Sequence, residues 1–239
     1  EVYIAAVLAE DEALMDVFRA GGNFHSTIAH SVFHLPCDPS EVSDQYPLKR
    51  QAAKAVSFGI MYGAGATKIS ETVTKESGTL FSVGEAQEVI DDYFARFYKL
   101  AEWLESNKRF IQANGFIYSA FGRKRRLPNV QSTDRGTKSH AMRSGLNFTV
   151  QSVASDVNLL AAIDMQKYLD TSSSKARIFG LVHDSILAEV PDEGVEEYSA
   201  TLQKFVQMDR GVSIPGCPIG CDFEVGQDYS MGKYDKLYV

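Results

Sequence analysis

With 239 residues, 44% of them hydrophobic and 11% aromatic, the chain can bury a substantial core and falls outside the disordered classes. A formal net charge of -7 argues against a protein that wraps nucleic acid by bulk charge. Cations nonetheless gather at Lys49 and Arg50, at Arg123 to Arg126 and between Arg135 and Arg143, which is compatible with a local positive channel on an acidic whole.

Three cysteines, Cys37, Cys217 and Cys221, cannot all pair within the chain, and no secretory segment opens the sequence. A reducing, cytoplasmic setting is expected, with no membrane partner, because no apolar run reaches transmembrane length.

The opening residues read as the end of a strand running into a helix from Glu10 to Arg19, which Gly21-Gly22 stops. A short helix near Ser26 to Phe33 and a proline-containing loop from Leu35 to Pro47 lead to a helix over about residues 48 to 63. That helix carries the most informative pattern in the chain: Arg50, Lys54, Phe58 and Tyr62 stand four residues apart. Residues at this spacing lie one above the other, so two cations and two rings line a stripe about 18 Å long. A planar guanidinium fork and an ammonium point charge can hold the phosphates of a nucleoside triphosphate while a ring packs on its sugar or base. A solvated basic edge on an amphipathic helix is the competing reading. Gly63-Ala-Gly65-Ala-Thr-Lys68 is not a phosphate loop, since it lacks the Gly-Lys-Ser/Thr ending and follows a helix.

Ser82-Val-Gly-Glu85 forms a capping box opening one long helix, with Val89, Tyr93, Phe97, Leu100 and Leu104 as its apolar stripe and Asn114-Gly115 as its end. Beyond it, the apolar run from Phe116 to Ala120 precedes Gly122-Arg123-Lys124-Arg125-Arg126-Leu127-Pro128, a basic hairpin suited to phosphates, or else a solvated charge run. A second long helix, about Lys138 to Leu169, puts Arg143, Asn147 and Gln151 on one face. Guanidinium and amide groups can read the acceptors of a minor groove, although a polar face open to water would look the same.

Two strand-like runs between Arg177 and Val190 meet at His183-Asp184-Ser185, a hairpin signature. A carboxylate at such a tip projects rigidly, and Mg²⁺ prefers hard oxygen donors shared with phosphates and water, so Asp184 is the leading magnesium ligand. Its alternative role is to satisfy its own turn. A helix from Glu193 to Met208 and a strand from Ile219 to Val225 are expected to pack behind this hairpin. His30 and His34 read as surface residues, and Cys217-Pro-Ile-Gly-Cys221 lacks the second half of a zinc site.

Taken with its glycines, the ladder Arg50-x-x-x-Lys54-x-x-x-Phe58-Gly59-x-x-Tyr62-Gly63 resembles motif B of the family A DNA polymerases, the group of bacterial DNA polymerase I and its phage relatives. Val182-His183-Asp184-Ser185 is similar to motif C, with Ser185 where most relatives carry a second acid. Glu1-Val-Tyr-Ile-Ala-Ala-Val looks like the tail of motif A, beginning at its glutamate.

The resemblance implies an α+β right-hand polymerase fold: a palm with an antiparallel sheet and packed helices from residues 1–21 and 115–239, and mostly helical fingers from 22–114. It implies Asp184 and Lys54 as catalytic groups. Glu1 (as steric gate against a ribose 2′-hydroxyl), His25, Arg50, Lys54, Phe58 and Tyr62 would sit on the dNTP. Arg143, Asn147, Gln151, His183, Arg123 and Arg125 would sit on primer-template DNA, with His183 at the primer terminus.

Two Mg²⁺ ions are expected in the complete enzyme, with Asp184 as a ligand. The other motif A aspartate would lie upstream of Glu1, in a segment that with the thumb and any exonuclease domain is supplied in cis or trans. The chain, which has no initiator Met, is therefore expected to be a fragment or processed product with little activity alone. Phe58 rather than tyrosine implies poor use of dideoxynucleotides. Terse loops and Ser185 point to a phage source. A non-catalytic DNA-binding remnant or accessory subunit of a polymerase is the competing class, and an RNA-making enzyme is disfavoured by Glu1.

Overall fold

The computed structural model describes residues 1–61 and 63–228. The chain divides into two compact units, Glu1–Ser152 and Val153–Val239.

The first unit opens on helix α1, Val2–Leu8, where the sequence suggests a strand end. Its alanines decide this: Ala5 and Ala6 are fully buried, and alanine is the best helix former, outweighing Val2 and Ile4. Glu10, at a φ of 52°, turns the chain into α2, Glu12–Arg19. Asp11 caps α2 by accepting from Leu14 N at 3.0 Å, while its second oxygen accepts from Leu100 N, also at 3.0 Å. One buried carboxylate thus caps two helices. α3, Phe24–Phe33, begins at the cap Asn23 and ends on His34 in the left-handed region.

The segment expected as a loop is more ordered than that, with a 3-10 turn at Pro39–Glu41 and the short α4, Val42–Gln45. α5, Pro47–Met61, starts with proline in the first turn, where the missing N–H costs nothing. Ala52, Ala53, Ala55 and Val56 bury its inner face. α6, Ala66–Ser77, lies where the sequence offers no clear helical pattern; it is a polar helix that buries only Ile69 and Val73 and stops at the left-handed Gly78.

The capping box at Ser82 forms as expected and opens α7, Val83–Arg96. The predicted single helix is two, however: the chain breaks at Phe97 (φ -112°, ψ 60°) and resumes as α8, Tyr98–Asn114. The break buries Phe97 completely and frees a first-turn N–H at Leu100 for Asp11. β1, Phe116–Tyr118, and β2, Lys124–Arg126, form an antiparallel ribbon pairing Phe116 with Arg126, Ile117 with Arg125 and Tyr118 with Lys124. α9, Arg135–Thr171, then runs on into the second unit.

In the second unit, β3, Arg177–Val182, pairs antiparallel with β4, Ser185–Glu189, and α10, Val195–Val206, follows. Met165, Leu169, Ala176, Tyr198 and Leu202 form its core, with Ile178, Ile186, Ala188 and Phe223 packed against it. Arg210 pairs with Asp164 at 2.8 Å at the edge of this unit. The expected strand from Ile219 to Val225 does not form. Pro215, Gly216 and Pro218 break the chain just before that stretch, where Ile214 and Cys217 form an isolated bridge, and Gly220 lies within it.

Helices with two small antiparallel sheets make this an α+β protein, as the sequence implies. No helix among the described residues is long and apolar enough to cross a membrane.

Candidate functional site

α3 and α5 bring four of the sequence-predicted residues together in the first unit. Arg50 and Lys54, half-buried, lie on the outer stripe of α5, opposite its buried alanines. Arg50 donates from Nε to Ser26 Oγ at 3.2 Å and from Nη2 to Asn23 Oδ1 at 3.3 Å. Two of the five guanidinium donors hold the side chain to the start of α3, and the fork is set before any ligand arrives.

Asn23 Oδ1 also accepts from Ser26 N at 3.2 Å, so one amide oxygen caps α3 and anchors Arg50. His25, on the first turn of α3, stands 5.3 Å from the Phe58 ring centroid at a tilt of 54°. Behind it, Phe24 stacks on Phe18 at 4.7 Å, and Tyr3 meets Phe18 edge-on at 5.2 Å.

Positive charge surrounds the imidazole of this cluster. Burial depresses the pKa of His25 below the ordinary imidazole value, and the positive charges of Arg50 and Lys54 push it further the same way. His25 Nδ1 is buried without a hydrogen-bond partner among the described residues. Phe58 is 45% exposed, a large apolar ring left in water beside two cations. Tyr62, the last rung of the predicted ladder, lies outside the described residues.

A second group lines the N-terminal part of α9. Glu1 Oε1 accepts from Gln151 Nε2 at 3.2 Å, joining the first residue of the chain to the predicted DNA-facing helix. Asn147 has a buried Oδ1 with no partner among the described residues. Arg143 donates to Ser139 Oγ and lies directly against Gly63, where a Cβ would come within 2.6 Å of Arg143 Cγ. Gly63 also has a φ of 67°, so glycine is required there twice over. On the ribbon, Arg125 donates from Nη2 to Ser144 Oγ at 2.7 Å, and its guanidinium sits 5.7 Å from the Phe148 ring centroid. Arg123, exposed, follows Gly122 at the ribbon's turn.

The second unit holds the predicted metal ligand. Val182 pairs with Ser185, so His183 and Asp184 form a two-residue hairpin loop, His183 taking a left-handed φ of 54°. Both side chains are exposed. Ser185 is the first residue of β4, and no cluster of three or more His, Cys, Asp or Glu capable of holding a metal ion occurs among the described residues. Mg²⁺ is commonly held by one or two carboxylates with substrate phosphates and water, and a single exposed carboxylate at a rigid tip fits part of such a shell.

Sequence reasoning missed Asn23 and Ser26, which fix Arg50. The cap spacing Asn-x-x-Ser was readable, but its contact with a residue 27 positions away was not. The approach of Arg143 to Gly63 was likewise invisible.

The fold and the cluster together define an α+β protein whose helical part gathers a guanidinium, an ammonium, an imidazole and a ring between α3 and α5. The chain belongs to DNA polymerase family A, which matches residues 1–231. It is 42% identical over 261 residues to the DNA polymerase of Escherichia phage T5, covering 100% of this chain and 30% of that protein. It is 34% identical over 215 residues to DNA polymerase I of Caldicellulosiruptor bescii, covering 90% of this chain and 24% of that one. Among solved structures it resembles the polymerase domain of Pol1 from M. smegmatis in complex with DNA primer-template and dNTP. That likeness has a TM-score of 0.73 at 27% identity over 86% of this chain and 34% of the other. The chain therefore spans about a third or less of the length of these relatives.

Proposed function

We propose that this chain supplies the fingers, residues 22–114, and part of the palm, residues 1–21 and 115–239, of a DNA-directed DNA polymerase. The observation that carries this reading is the cluster of Arg50, Lys54, His25 and Phe58, pre-set through Asn23 and Ser26. The reaction joins a primer 3′-oxygen to the α-phosphorus of a dNTP, and the bond from that phosphorus to pyrophosphate breaks.

Arg50 and Lys54 neutralise the triphosphate, and the mobile Lys54 ammonium carries a proton that the leaving pyrophosphate can take. His25 adds a contact to the phosphates, Phe58 packs on the sugar, and Tyr62 belongs at the templating position. Glu1, held by Gln151, blocks the space of a ribose 2′-hydroxyl. Arg143, Asn147 and Gln151 face the minor groove, Arg123 and Arg125 the phosphates, and His183 the primer terminus. Asp184 would hold magnesium, which would supply Lewis-acid activation for the 3′-hydroxyl and charge stabilisation for the departing pyrophosphate; two ions are expected in the complete enzyme. The rest of the metal shell, the thumb and a further aspartate belong to an upstream segment acting in cis or trans, in the cytoplasm of a bacterium or of a phage-infected host.

The test is dNTP binding by titration calorimetry. Arg50→Ala and Lys54→Ala should each weaken it by about tenfold or more, since hydrogen bonds to charged groups contribute about 1.5–3 kcal/mol. Wild-type affinity in both variants would dismiss the assignment.

Ser185 favours a second reading, a DNA-binding remnant without catalysis. Primer extension by the assembled polymerase that survives Asp184→Ala would support it.

A further inference from the structure

The β1–β2 ribbon alternates its side chains between two faces. Ile117 and its partner Arg125 turn inward: Ile117 is buried, and Arg125 reaches Ser144 and Phe148 on α9. The other face carries the pairs Phe116 with Arg126 and Tyr118 with Lys124, with Phe110 of α8 alongside. Phe110 and Phe116 stand 5.6 Å apart at 82°, and Phe116 and Tyr118 5.4 Å apart at 77°. Lys124 Nζ lies 3.7 Å from the Phe116 centroid and 5.4 Å from that of Tyr118. Tyr118 is 49% exposed and Phe110 42%, although the ribbon already has a packed inner face.

We propose that this outer face is a docking site for single-stranded nucleic acid, with unpaired bases on Tyr118 and Phe110 and phosphates on Lys124 and Arg126. Charge selects the occupant. From Gly115 to Leu127 there are four cations and no acidic residue, and Glu105 on the neighbouring helix is already paired with Lys108 at 3.4 Å. Protein interfaces deplete lysine, whereas a strand of phosphates and planar rings matches alternating cations and aromatics. Duplex bases are stacked and paired internally, so exposed rings can engage only unpaired ones. The Lys124 ammonium is held over a ring and needs little ordering to meet a phosphate. The inference rests on the outer face of the ribbon and places no ligand on Arg123 or Arg125, the ribbon residues that the polymerase reading assigns to DNA.

The experiment is fluorescence anisotropy of a labelled oligothymidylate of roughly a dozen nucleotides, titrated with the 239-residue chain at several salt concentrations. Tyr118→Ala should weaken binding about tenfold while Tyr118→Trp retains it. Lys124→Gln should lower the slope of log affinity against log salt by about 0.7, the value of one single-strand phosphate contact. A blunt duplex of equal length should respond little to Tyr118→Ala.

Absence of oligothymidylate binding, unchanged affinity in Tyr118→Ala, or an equal loss on blunt duplex would overturn the proposal. Should Tyr118→Ala lower the melting temperature, Phe110→Ala carries the test from outside the ribbon; its affinity must also fall, and unchanged affinity overturns the proposal. The titration contains no dNTP, so a failure of nucleotide binding would touch the polymerase reading alone.

Discussion

Gly63→Ala measures how tightly the segment after α5 is coupled to α9. Two costs can be worked from the geometry. Gly63 sits at a φ of 67°, and a non-glycine residue held in the left-handed region costs about 1–2 kcal/mol. The new Cβ would also lie 2.6 Å from Arg143 Cγ and 2.7 Å from its Cδ, so Arg143 must change rotamer and give up its bond to Ser139, about 1 kcal/mol more. Urea denaturation should therefore show a loss of about 2–3 kcal/mol. In an Arg143→Ala background only the backbone strain remains, so the same substitution should cost about 1–2 kcal/mol, leaving a coupling energy of about 1 kcal/mol. A loss below about 0.5 kcal/mol, or an identical loss in both backgrounds, would refute the claim that Gly63 and Arg143 are packed against one another.

Stability should also depend on pH through His25, whose folded-state pKa is depressed by burial and then by Arg50 and Lys54. Above the ordinary pKa of 6.5 the ring is neutral in both states and its contribution is complete; as pH falls, the unfolded chain takes the proton first and stability declines. Comparing urea midpoints above and below that value should show this slope flattened in His25→Gln, and an unaltered slope would remove His25 as its source. Asp11→Ala should cost about 2–4 kcal/mol, because it removes the cap on Leu14 and leaves the Leu100 N–H unpaired near a buried site. A loss no larger than an ordinary cap deletion, about 1 kcal/mol, would show that the Leu100 contact adds nothing. Phe58→Tyr in the assembled polymerase should raise dideoxynucleotide incorporation, read as chain termination on a primed template; unchanged termination would count against the placement of Phe58 on the sugar.

Local signals carried most of the element boundaries. The capping box at Ser82, the glycine after α8 and the His183-Asp184 turn are each decided by chemistry within a few residues, and α7, the basic ribbon and the β3–β4 hairpin form on those signals. The strand expected at the chain's start failed because short apolar runs look alike as strand or helix, and the helix propensity of Ala5 and Ala6, with Ile4 buried beside them, decides for helix. The break at Phe97 was illegible for a different reason. The apolar stripe continues in helical register through it, and its benefit appears only when Asp11, 89 positions before Leu100, supplies the second cap.

The functional cluster divides along the same line. Spacing alone placed Arg50, Lys54 and Phe58 on one stripe of α5, because four-residue periodicity is a property of the helix itself. What gathers that stripe into a cluster is non-local: Asn23 and Ser26 orient the guanidinium, and burial, together with the two cations, lowers the pKa of a nearby imidazole. A guanidinium restrained at two donors loses less freedom on meeting a phosphate than a solvated one, so part of the ordering cost of binding is met when α3 folds against α5. The same argument separates Arg50 from a cation on an ordinary basic helix edge, which would point into water without partners to hold it.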